Sequence, residues 1–152
     1  RESYKKEIPS IKVPKNGKLQ HTVNKEALDV ASENAVRLGL EERVRIVYSD
    51  LFSSIEDSYD LIVSNPPYIS GEDMKKLEKT VRDYEPHLAL YGGVSGLDFY
   101  RSITQQAPRY LRENGMLIFE IGYDQSSEVE KMMKEYGFKN VHNAGTWRAL
   151  RK

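Results

Sequence analysis

The sequence predicts an α/β fold with an open, largely parallel sheet, and two observations carry that expectation. From Asn24 onward, helix-like and strand-like segments alternate, as they do when strands are joined by crossover helices. Two segments, Asp50-Leu51-Phe52 and Asn65-Pro66-Pro67-Tyr68, directly follow strand-like runs. Open α/β sheets bind ligands outside the carboxyl ends of their strands, so the coincidence favours a shared site.

Asn24 is placed to cap a helix whose apolar residues Ala27, Leu28, Ala31, Ala35 and Leu38 share one face, with Gly39 at its stop. Residues 43–48 read as a short β-branched strand leading to Asp50. Residues 59–64 form a second, which Asn65-Pro66-Pro67 must end because consecutive prolines cannot continue a ladder. Residues 72–83 are a charged helical or loop segment with a solvated face. Leu97, Tyr100, Ile103, Ala107 and Leu111 have helical spacing, with Pro108 set to kink or break the helix. Asn114-Gly115 is a turn, and residues 116–121 are the most apolar strand. Residues 128–136 form a helix closed by Gly137, with Met132 and Met133 as core filler. Residues 138–141 and 147–150 read as a final strand pair, antiparallel at the end of the sheet.

A chain of 152 residues is long enough to bury one proper core, so 1–152 is expected to be a single domain. Lys and Arg total 23, as do Asp and Glu, and the zero net charge argues against a dedicated nucleic-acid binder. The absence of cysteine excludes disulfides, thiolate metal sites and a cysteine nucleophile. His21, His87 and His142 are scattered without metal-ligand spacing and read as surface or packing residues. No apolar run reaches the length of a membrane span and no signal-peptide pattern opens the chain, so a cytoplasmic location without membrane contact is expected.

Asn65-Pro66-Pro67-Tyr68 carries the chemistry. The Asn65 side-chain oxygen and a neighbouring backbone carbonyl are hydrogen-bond acceptors. Two prolines stiffen the carbonyl and add no competing N–H donor. Tyr68 offers a flat face for a planar amide or base. As a bare tetrapeptide it is equally an ordinary loop after a strand; its placement after Asp60-Leu61-Ile62-Val63-Ser64 favours a methyltransferase. It resembles the tetrapeptide of amino-methyltransferases that act on adenine N6, guanine N2 and glutamine N5, which defines a reaction class and leaves the substrate open.

Downstream residues narrow the resemblance. Tyr84-Glu85-Pro86-His87-Leu88-Ala89-Leu90-Tyr91-Gly92-Gly93, then Gly96-Leu97-Asp98-Phe99-Tyr100, Glu120-Ile121-Gly122, and Ala144-Gly145 with Arg148, are similar to the HemK/PrmC family over residues 24–150. The resemblance implies a Rossmann-like S-adenosylmethionine-dependent methyltransferase sheet with helices on both faces. It implies methylation of the glutamine in the Gly-Gly-Gln loop of class I peptide release factors, with no direct nucleic-acid binding. Asn65, Pro66, Pro67 and Tyr68 would hold that glutamine, with Asn65, Pro66 and Tyr68 as the catalytic set. Thr22, Asp50, Leu51 and Asn65 would face the cofactor, Asp50 and Leu51 flanking its adenine. Glu85 and Pro86 would brace a loop, and Gly92, Gly93 and Gly96 would serve backbone turns.

The front of the chain departs from the family. An apolar first strand with its Gly-rich turn is not found, and Gly17 lies in an ordinary-looking turn. Thr22 stands where an acidic residue would bind the ribose, without the charge that makes a carboxylate a strong acceptor. Residues 1–23 are therefore read as atypical or incomplete, and no N-terminal release-factor-docking domain is expected. Two alternatives stay open: an adenine N6 or guanine N2 nucleic-acid methyltransferase, and a cofactor-free remnant that binds release factors.

Overall fold

Parallel strands cannot be joined by a tight turn, so each parallel pair in this chain encloses a crossover. The computed structural model describes residues 18–22, 25–77, 87–143 and 145. The chain divides into two compact units, Arg1–Ile55 and Glu56–Lys152.

In the first unit, strand β1 (Lys18–Thr22) pairs in parallel with β2 (Val44–Tyr48), Thr22 opposite Tyr48. Helix α1 (Lys25–Arg37) is the crossover between them. Pattern alone did not predict β1, because Lys-Leu-Gln-His-Thr is short and mostly polar; only the family resemblance put a strand end at Thr22. Gly39 (φ 63) closes α1 as expected. Its N–H donates to the Val36 C=O at 2.9 Å, and the Leu40 N–H to the Ala35 C=O at 2.8 Å, the paired bonds of a Schellman stop. The expected cap Asn24 lies outside the described residues. Of the predicted apolar face, Ala35 is buried, Leu28 and Ala31 are half-buried, and Leu38 is exposed. Two strands roughly 4.8 Å apart make a narrow floor for a helical stripe.

In the second unit, β3 (Tyr59–Ser64) has its predicted bounds and pairs in parallel with β4 (Leu111–Phe119). The register slips early: Tyr59 faces Leu111, but Leu61 already faces Met116. Asn114, at φ 62, sits inside this slip. The predicted Asn114-Gly115 turn is thus a bulge within β4 instead of its boundary. Among the described residues, two single helical turns follow β3, α2 (Gly71–Met74) and α3 (His87–Leu90). The next helix, α4 (Asp98–Gln106), passes into a 3-10 turn, Ala107–Arg109, at Pro108, as the proline requires. Helix α5 (Ser126–Glu135) stops at Gly137, whose N–H donates to Lys134 C=O while Phe138 N–H donates to Met133 C=O. Phe138 is thereby committed to the helix stop, and residues 138–141 form no strand, contrary to expectation. Residues 147–150, the other expected terminal strand, lie outside the described residues.

Side chains alternate across a strand. Leu117, which is buried, and Phe119 therefore point one way; Phe119 packs on a core of Tyr100, Val129 and Met132, with Leu97, Ile121 and Met133 around it. The Tyr100 ring meets Phe119 edge-on, centroids 5.2 Å apart at 85°. Val63, Met116 and Ile118 share the opposite face, where they are 64%, 59% and 42% exposed. Parallel strands with crossover helices agree with the Rossmann-like α/β class expected from the sequence.

Candidate active site

Strand β3 delivers Asn65 at its carboxyl end. Pairing holds to that point, because the Glu120 N–H donates to the Ser64 C=O at 2.9 Å. Asn65 is exposed, Pro66 buried, and Pro67 and Tyr68 half-buried. Beyond the prolines a second segment grips the loop. Ile69 N–H donates to Leu90 C=O at 3.0 Å, and Gly92 N–H to Ile69 C=O at 2.9 Å, around a parallel Ile69–Tyr91 bridge. Gly92 and Gly96 do more than turn the chain. A Cβ on Gly92 would stand 2.7 Å from both the Pro67 oxygen and the Tyr68 Cα, and one on Gly96 (φ +75) would collide with the Tyr68 carbonyl. Backbone lies directly on backbone there, which only glycine permits.

Asn65, Pro66, Tyr68, Ile69, Ala89 and Leu90 line a cleft of ≈ 160 Å³. At roughly 30 Å³ per water, it has room for something of carboxamide side-chain size. Tyr68 packs against the Tyr100–Val129–Met132 core, which anchors its ring. A larger trough of ≈ 550 Å³ runs along α1 past Val30, Leu38 and Leu40. It reflects the exposed stripe of that helix and lacks the convergence of acceptor and stiff backbone found at Asn65.

Sequence reasoning missed Ala89 and Leu90 as cleft walls, and it missed Gln125. The Gln125 Nε2 donates to the Tyr68 carbonyl at 3.0 Å and reaches the Gly96 carbonyl at 3.4 Å, while its Oε1 accepts from the Gly122 N–H at 3.3 Å. Its signal in the sequence was slight: a polar residue three positions after Gly122, just before a helix. Tyr100 lies under the same turn and donates its hydroxyl to the Glu120 C=O at 3.1 Å. Burial pushes the Tyr100 phenol up to about 12, the backbone N–H of Gly122 partly opposing it.

In the first unit, the turn after β2 is held by serines. Buried Ser49 donates its hydroxyl to Leu51 C=O at 2.9 Å and accepts from Ser54 N–H at 3.0 Å, and Asp50 N–H donates to Ser53 Oγ at 3.1 Å. They keep Leu51 at φ 47, a conformation that a branched side chain rarely adopts. Asp50 is exposed and Leu51 half-buried. Thr22 ends β1, in register with Tyr48. Glu85, Pro86, Ala144 and Arg148 lie outside the described residues. Among the described residues, no cluster of His, Asp and Glu suits a metal ion, and no helix is long and apolar enough to cross a membrane.

Parallel strand pairs with crossover helices, and an Asn-Pro-Pro-Tyr loop at a strand's carboxyl end, are the marks of a methyltransferase domain. The chain belongs to the methyltransferase small domain family, which matches residues 11–95. The HemK/PrmC resemblance is borne out by its relatives. The release factor glutamine methyltransferase of Clostridium acetobutylicum is 41% identical over 122 residues, 78% of this chain and 43% of that protein. That of Cereibacter sphaeroides is 45% identical over 115 residues, 76% of this chain and 41% of its own length. This chain thus spans about two fifths of the curated relatives it matches. A methyltransferase from Pyrococcus furiosus has the same fold, with a TM-score of 0.57 at 18% identity, covering 84% of this chain and 57% of that one.

Proposed function

We propose that this chain is the substrate-holding part of an S-adenosylmethionine-dependent enzyme that methylates the side-chain amide nitrogen of a glutamine. The substrate is the Gly-Gly-Gln loop of class I peptide release factors, in the cytoplasm, and the 1–152 stretch acts as one methyltransferase domain. The observation that carries this reading is the Asn65–Tyr68 loop, stiffened by two prolines and opening on a cleft of ≈ 160 Å³.

An amide nitrogen is a poor nucleophile because its lone pair is delocalised into the carbonyl. The Asn65 Oδ1 and a loop carbonyl beside it accept hydrogen bonds from the two amide hydrogens and aim the nitrogen. Tyr68 packs along the amide plane. Alignment supplies much of the rate, since methyl transfer needs a near in-line approach. The donor, when bound, supplies an electrophilic sulfonium methyl. With the amide so held, no general base would be needed before transfer, because the nitrogen could give up its proton to water afterwards. On the donor side, an exposed Asp50 carboxylate next to half-buried Leu51 fits the amine edge and face of an adenine. Thr22, at the ribose position, offers a hydroxyl in place of a carboxylate.

Asn65→Ala is expected to lower transfer about a hundredfold, the scale of losing one preorganised hydrogen-bonding group, with an unchanged circular dichroism spectrum and melting temperature. Labelled donor, presented with a release factor and with nucleic acid, measures both rate and target. Full transfer by Asn65→Ala, or label in nucleic acid alone, overturns the reading; the latter would favour the adenine or guanine alternative that shares the tetrapeptide.

A further inference from the structure

The Gln125 side chain joins the loop after β3, the glycine segment at 92–96 and the turn after β4. All four of its polar groups are engaged. Its backbone N–H donates to Gly122 C=O at 3.1 Å and its C=O accepts from Val129 N–H at 3.0 Å. Its side-chain Oε1 takes the Gly122 N–H, and its Nε2 faces the Tyr68 and Gly96 carbonyls. Two carbonyls cannot donate, so the amide orientation follows from the chemistry alone. The side chain is half-buried, where leaving such groups unpaired is costly.

The Tyr68 carbonyl is the last acceptor of the Asn65–Tyr68 loop. Pro66 and Pro67 have no N–H, so the middle of the loop offers no backbone donor of its own. The peptide plane after Tyr68 is held from both sides, the Ile69 N–H on the Leu90 carbonyl at 3.0 Å and the Gln125 Nε2 on the Tyr68 carbonyl at 3.0 Å. The helix that follows, α5, is itself packed on the core through Val129 and Met132, so the donor stands on a rigid element.

We propose that Gln125 is a positioning residue for amide transfer: its Nε2 holds the Tyr68 carbonyl and thereby sets the geometry of the Asn65–Tyr68 loop. The inference rests on the reading of that loop as the amide holder. It separates the two limbs of Gln125, because the acceptor limb to Gly122 N–H braces only the turn after β4, while the donor limb reaches the substrate loop.

Three replacements in the full chain test this with a release factor as substrate: Gln125→Glu keeps an acceptor and loses the donor, Gln125→Lys keeps a donor and loses the acceptor, and Gln125→Met loses both. The expected result is a kcat about tenfold or more below the parent for Glu and Met, with Lys recovering at least half of that loss on a logarithmic scale. KM for the methyl donor should stay within twofold throughout. Melting temperatures should fall similarly for Glu and Lys, so that a bracing role alone cannot produce the difference in rate. Gln125→Glu transferring as fast as Gln125→Lys overturns the proposal, as does Gln125→Met at the parental rate. Asn65→Ala measured alongside separates the two claims: if Asn65→Ala is inactive while the Gln125 series is flat, only the role of Gln125 fails. If Asn65→Ala is fully active, the loop reading fails and takes this inference with it.

Discussion

Tyr100 is fully buried beneath the turn that carries Gln125, its hydroxyl on the Glu120 carbonyl and its ring edge-on to Phe119. Helical spacing identified Tyr100 as a core position, yet nothing in the sequence showed that its hydroxyl would meet the end of β4. Burial raises its phenol from 10.0 to about 12, so the folded chain keeps a proton that the unfolded chain has lost. The stabilisation from this group is therefore complete below pH 10 and is lost as the pH rises from 10 through 12, at about 1.4 kcal/mol per pH unit. Tyr100→Phe should be less stable than the parent at pH 7 by about 1 kcal/mol, the worth of one hydrogen bond. That gap should narrow or reverse above pH 10, because Phe has no proton to lose. Urea denaturation of both proteins at pH 7 and pH 11 reads it, and a gap independent of pH refutes the assignment.

At the scale of elements, regular pieces were legible and their joins were not. The bounds of β3, the break at Pro108 and the glycine stops of α1 and α5 all follow from local stereochemistry, which a sequence states directly. β1 was not legible by pattern, since its strand state comes from pairing with β2, a contact far along the chain. The predicted strand at 138–141 failed for a related reason: the α5 stop takes the Phe138 N–H. The roles of Gly92 and Gly96 were half legible. Turns were expected, and close approach to Pro67 and Tyr68 was not. Gly92→Ala is accordingly expected to cost about 1–3 kcal/mol, the range for overpacking, and to depress transfer more than stability, since the three nearest atoms it meets are backbone of the substrate loop and of Gly96. Gly39→Ala is the control: nothing lies within 4 Å, but φ is +63, so it should cost about 1 kcal/mol with transfer per folded molecule unchanged. Equal transfer rates for the two variants would show that the Gly92 contact has no bearing on the site.

For the whole molecule, the pairings match a doubly wound sheet. Among the described residues each unit holds a parallel pair, β1 with β2 in the first and β3 with β4 in the second. Val63, Met116 and Ile118 remain exposed on one face of β3–β4. With a net charge of zero and a pI near 7.0, little long-range repulsion opposes association of such surfaces. Light scattering at fixed concentration should therefore peak near pH 7 and fall towards pH 5 and pH 9. A profile that is flat in pH would count against charge as the controlling variable.

What the sequence determined by itself is local: the alternation of strand and helix, the proline-stiffened loop after β3, the glycine stops, and a set of motifs sufficient for family membership. Backbone sterics and short-range hydrogen bonding decide these, and both are encoded within a few residues. What only the tertiary structure decided is which distant groups meet. Gln125 on the Tyr68 carbonyl, Tyr100 on Glu120, Leu90 walling the Asn65 cleft and the bulge at Asn114 depend on packing between segments tens of residues apart. A hydrogen bond of that kind leaves no periodicity behind, so the loop could be read in advance and its brace could not.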